Sequence, residues 1–118
     1  MSLIPDDGGD LEGMSRRKSE ATAKGGQAFL RLLILAETGD SGQAHIVARF
    51  IASNDNGQDF PYDLYDLRLV DVAIGDDMLT CLEALRWGQA DLHTLVPDGD
   101  QRVRAVLTRC GIEWPDHS

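Results

Sequence analysis

No long apolar run occurs anywhere in the chain. The longest is Leu32 to Ala36, far short of the roughly 18 residues a membrane span needs. The N-terminus carries Asp6 and Asp7 and lacks the basic-then-apolar order of a signal peptide. These absences predict a cytoplasmic protein. Cysteine is scarce, with only Cys81 and Cys110. Neither stands at zinc-site spacing from another ligand, and both fall within helical apolar patterns. Two buried thiols in a reducing compartment are expected, not a disulfide scaffold.

Positive charge is short as well. Eleven Lys and Arg face 20 Asp and Glu, for a net charge of −9. The first 25 residues hold five acids and four bases, which leaves −8 on the rest. A domain so charged repels nucleic-acid phosphate and anionic lipid, and is drawn to basic surfaces.

The signatures of chemistry are missing. No Gly-x-Ser-x-Gly elbow and no phosphate-loop motif occurs. His45, His93 and His117 are too far apart for a His-x-x-x-His pair. Asn54-Asp55-Asn56-Gly57 has the look of a calcium loop. Counting from Gly57 at position six, however, Ala52 would occupy position one, where an acid is required. A helix-ending Asx/Gly turn explains the same residues. Asp76 and Asp77 could hold a metal with Asp71 only if they converged, and adjacent helical residues point about 100° apart. No catalytic residue, metal or cofactor is therefore assigned.

No stretch alternates as a strand would. Residues 1–25 carry four glycines and few large apolar side chains, and read as a flexible tail. Met14, followed by Ser-Arg-Arg-Lys, is a second candidate start. Residues 26–114 read as a single all-α domain, a small compact bundle of four to five helices. A first helix is expected from Gln27 to Thr38, stopped at Gly39. Asp40-Ser41-Gly42-Gln43 resembles a capping box opening a second helix to about Ser53. Asp63 is a suitable cap for the next element.

Leu67, Val70, Ile74, Met78, Cys81 and Leu85 then recur at spacings of three and four. Asp71 falls at the edge of this stripe. A break there, with a short helix at 64–69, avoids burying an unpaired carboxylate. Trp87-Gly88 closes the helix. A short turn from Asp91 to Val96 follows. Asp98-Gly99-Asp100-Gln101 looks like a second capping box, and a last helix runs to Cys110, with Gly111 as its stop. Ile112 and Trp114 are expected to fold back on the core.

What the chain has in quantity is acid. Seven carboxylates and one arginine lie between Asp55 and Asp77. With Asp63 and Asp71 assigned to capping, five remain: Asp55 and Asp59 on a loop, and Asp66, Asp76 and Asp77 on the outward side of the helix. With Tyr62 and Tyr65 as aromatic anchors, they form the candidate partner-binding surface.

The segment from Gly42 to Ile112 resembles an uncharacterised family of small bacterial proteins carried on plasmids and integrative elements. The resemblance rests on Gly42-Gln43, Val47-Ala48-Arg49-Phe50 and Asn56-Gly57. It continues through Phe60-Pro61-Tyr62-Asp63-Leu64, Asp66-Leu67-Arg68, Asp71 and Asp77-x-Leu79. Family members carry a larger residue where this chain has Gly75, and the C-terminal third matches loosely. The resemblance implies a compact helical domain from a mobile element, and no activity. The reading that follows is a non-enzymatic module docking on the basic surface of a protein partner, in its sharpest form a DNA mimic or CRISPR-type inhibitor. The competing reading is an accessory factor that touches DNA through Arg16-Arg17-Lys18 or through Arg102, Arg104 and Arg109.

Overall fold

A computed structural model describes residues 8–55 and 62–112. Among these described residues, four α-helices form the fold: α1 (Gly8–Thr38), α2 (Gly42–Asp55), α3 (Val72–Trp87) and α4 (Gly99–Arg109). Two 3-10 segments, Leu64–Leu69 and Leu92–Leu95, join them, and no strand occurs among the described residues. The fold is an all-α bundle. Its core joins Phe29, Leu32 and Leu33 of α1 to Val47 and Ile51 of α2, with Met78 and Cys81 of α3 and Val103 and Leu107 of α4.

Several boundaries follow from local chemistry. The Asp63 carboxylate accepts from the Tyr65 N–H at 2.9 Å and caps the first 3-10 segment. The break falls at Val70 and Asp71, both extended, and α3 starts at Val72. Gly88 and Gly111 take positive φ, 65° and 72°, the left-handed stop that glycine adopts without a Cβ penalty. After Gly111, Ile112 returns its N–H to Leu107 O at 2.8 Å and packs against the core. Trp114 lies outside the described residues.

Three expectations are corrected. Residues 8–25 are helical, not a tail, because α1 begins at Gly8. Thr22 is buried, and its hydroxyl lies 3.1 Å from Gln89 Oε1. Of the glycines that suggested a tail, Gly25 is a contact residue, where a Cβ would overlap that of Ala84; beside it, a Cβ on Gly26 would press on Leu95. The cap of α2 is Ser41, one residue later than expected, with its Oγ accepting from the Ala44 N–H at 3.2 Å. Gln43 instead accepts from the Asp71 N–H at 2.7 Å, tying the start of α2 to the start of α3. Finally, Asp98 precedes α4 with φ 54° and makes no side-chain cap, so the second capping box is not formed.

α1 and α3 pack antiparallel. Thr22 meets Gln89, Gly25 meets Ala84 and Arg31 meets Asp77 along the contact. Small residues let the two backbones approach. That turns the α1-facing side of α3 toward Asp77, Cys81 and Ala84, and leaves Leu85 exposed.

Candidate interaction surface

The predicted anchor and acid residues divide into three groups. Asp66 and Asp77 are bound within the fold. Asp77 lies on the side of α3 that meets α1, where Arg31 donates to its carboxylate from both Nε and Nη2, the latter at 2.7 Å. Asp66 accepts from Arg49 Nη2 at 3.1 Å. Their side chains are only 19% and 18% exposed, which leaves little of either carboxylate for a partner. The bidentate geometry on Arg31 is the stronger form of such a pair.

Tyr62 belongs to the core rim. Its ring packs edge-to-face on Phe50 with centroids 5.4 Å apart. Burial pushes its phenol pKa up, with the Asp66 charge adding to the shift. Asp59 lies outside the described residues, and Asp55 is the last residue of α2.

Asp76 and Tyr65 are exposed, and around them lies a surface the acid pattern did not reveal. Leu64, Tyr65, Leu69 and Val72 are 69%, 73%, 63% and 80% exposed. They fall within nine consecutive positions, while Leu67 and Val70 between them pack on the core. Leu79, seven residues beyond Val72 on the same face of α3, is exposed too. Asp63, Asp71 and Asp76 are exposed at the margin, and none has an ion-pair partner among the described residues. Arg68 is a cation in the same segment, also exposed. The patch thus has an apolar centre and a mainly acidic rim. A signal for it exists in the sequence: six large apolar residues crowd Leu64 to Val72, more than one inward face of a short 3-10 segment can bury.

The arginines of the C-terminal helix serve the fold. Arg102 donates to both oxygens of Glu37 at 2.8 Å, and this guanidinium holds the Glu37 carboxyl below its ordinary value. Arg104 pairs with Asp100 at 3.1 Å. Arg109 donates to Ala36 O at 2.7 Å, to Gly39 O at 3.0 Å and to Asp40 at 2.8 Å. It thereby satisfies carbonyls at the C-terminus of α1 that the helix leaves open. A shallow cavity of about 300 Å³ lies there, lined by Ser41, His45, Arg109 and Cys110 among others. Nearer the N-terminus, Arg17 stacks on Trp87, 5.5 Å from the ring centroid. Among the described residues no group of three His, Cys, Asp or Glu side chains is placed to hold a metal. No helix there is long and apolar enough to cross a membrane.

Residues 26–111 match the model of a family of unknown function, DUF7673. The chain belongs to this family. No curated protein and no solved structure matches the chain. The DUF7673 region takes in the second half of α1 and all of α2, α3 and α4. It therefore extends further toward the N-terminus than the likeness over Gly42 to Ile112, and it includes the C-terminal third. The apolar patch and its acidic rim lie wholly inside it.

Proposed function

We propose that this chain is a non-enzymatic protein-interaction module that docks through the Leu64–Val72 patch. The partner it fits is a protein with an apolar centre to its contact face and lysines or arginines around it. The observation that carries this reading is the exposure of four large apolar side chains in nine positions. Full burial of such a side chain contributes about 1.5–3 kcal/mol, so the four forgo roughly 4–8 kcal/mol in the free protein. A contiguous apolar patch with a polar rim is the usual signature of a docking site. The exposed carboxylates of Asp63, Asp71 and Asp76 would steer a basic partner and set its register.

The reading differs from a DNA mimic. A mimic needs a ladder of free carboxylates, and Asp66, Asp77 and Glu37 are spent on Arg49, Arg31 and Arg102. The internal engagement of Arg102 and Arg109 likewise counts against duplex contact through α4. The likeness to plasmid and integrative-element proteins supports a bacterial accessory role in the cytoplasm.

The test is capture of a partner from a bacterial lysate by immobilised protein, compared between the wild type and a Leu64→Ser/Leu69→Ser/Val72→Ser variant. The variant should keep its melting temperature and lose the captured protein. Equal capture by the folded variant would exclude this surface. Asp71→Lys with Asp76→Lys should slow association and flatten its salt dependence.

A further inference from the structure

We infer that the N-terminal projection of α1 is a self-association element that pairs antiparallel with the same projection of a second copy. It uses none of the residues of the docking patch. α1 has 31 residues, about 46 Å at 1.5 Å per residue. Its contact with α3 fades at Arg17, over Trp87 near the end of that helix. Gly8 through Arg16 therefore run on past α3 for over two turns, and every side chain from Leu11 to Arg17 is exposed.

The face that α3 covers further along continues into this projection. Leu11, Lys18, Gly25 and Leu32 recur every seven residues, and so do Met14, Ala21, Ala28 and Leu35. In the bundle these positions are contact positions: Gly25 sits against Ala84, and Ala28 and Leu32 are fully buried. In the projection the equivalent positions are Leu11 and Met14, 72% and 49% exposed. Contact positions recurring every seven residues are the pattern of a helix–helix seam; with Lys18 its one charged member, the seam here outruns its partner helix. A second helix laid along Leu11 and Met14 would do for the projection what α3 does for the rest of α1.

The order of charge identifies that second helix. Asp10 and Glu12 occupy the first half of the projection, Arg16 lies at its end, and Arg17 and Lys18 follow directly where α3 begins to cover α1. An antiparallel copy sets the acidic half of one chain beside the basic half of the other, twice over by the two-fold axis. A parallel copy sets like beside like. The apolar area is small, well below the ~1,200 Å² of a stable interface, so the dimer forms and dissociates with concentration.

Sedimentation velocity on the full chain, from about 10 μM to about 1 mM, tests this. The wild type should move toward the dimer's sedimentation coefficient as concentration rises. Leu11→Glu/Met14→Glu should stay monomeric throughout with an unchanged melting temperature. Asp10→Lys/Glu12→Lys and Arg16→Glu/Arg17→Glu should each lose self-association and recover it when mixed one to one. A wild type monomeric at the highest concentration overturns the inference. So does a dimer that survives Leu11→Glu/Met14→Glu, or a mixture of the two charge variants that stays monomeric.

Discussion

Gly25 of α1 lies so close to Ala84 of α3 that a Cβ on the glycine would overlap the Cβ of the alanine. The Gly25 carbonyl also faces the buried Cys81 thiol, 3.8 Å from Sγ. This close approach sets how α3 is rotated, which residues face α1, and which are left at the surface. Gly25→Ala should therefore destabilise the fold by about 1–3 kcal/mol, the usual penalty for overpacking. Gly13, around which a Cβ would meet open space, should respond in the opposite sense. Gly13→Ala is expected to stabilise by up to about 1 kcal/mol, because helix propensity is all that changes there. Urea unfolding of the two variants measures both.

Gly75 stands inside α3, where it donates its N–H to Asp71 O at 2.9 Å. A Cβ there would approach nothing closer than Val70 Cγ2, at 4.0 Å. Space and backbone both admit a larger residue. Gly75→Ala should stabilise by about 0.5–1 kcal/mol through lower unfolded-chain entropy and better helix propensity, read as a higher urea midpoint at constant slope.

The Glu37–Arg102 pair gives the fold a component of acid sensitivity. Arg102 lowers the folded carboxyl pKa below its ordinary 4.5. A depressed carboxyl contributes stability that is present above the unfolded pKa and lost as pH falls through the folded one. Unfolding followed from pH 7 downward should thus show this contribution constant to about pH 5 and declining below it. Glu37→Gln should be less stable at neutral pH and should shed that part of the acid slope.

Cys81 is fully buried, and burial pushes its thiol up to about 12, with the Asp77 charge adding to the effect. The thiolate is the reactive form. Iodoacetamide at pH 8 should modify Cys81 in native protein only at the rate of unfolding, and rapidly in urea. Mass spectrometry of the alkylated peptides distinguishes it from the half-buried Cys110.

Where the fold was legible in the sequence, one local interaction decides the structure. Asp63 caps through its own carboxylate, the chain breaks before Val72, and Gly88 and Gly111 stop helices by taking positive φ. What was hidden depends on a distant partner. Gly25 read as a tail residue because glycine disfavours an isolated helix; only the presence of Ala84 turns it into a packing residue. Asp77 read as outward because the stripe was drawn through the bulkiest side chains. The contact with α1 is centred on small ones instead, and it carries Asp77 round to Arg31. The candidate surface was half legible for the same reason. Asp76 and Tyr65 are where the charge pattern put them. The exposure of Leu64, Leu69 and Val72 is a property of the packed bundle, not of the apolar residue.

The Leu64–Val72 patch is proposed to meet a partner protein. Photocrosslinking tests it most directly. A benzophenone side chain placed at Tyr65 in full-length protein is irradiated in a bacterial lysate beside a control carrying it at Thr108, an exposed position on α4. The proposed function predicts one dominant crosslinked protein from position 65, none from position 108, and a lower yield of the product with Asp71→Lys/Asp76→Lys. Crosslinks of equal yield from both positions, or none from position 65, would contradict it.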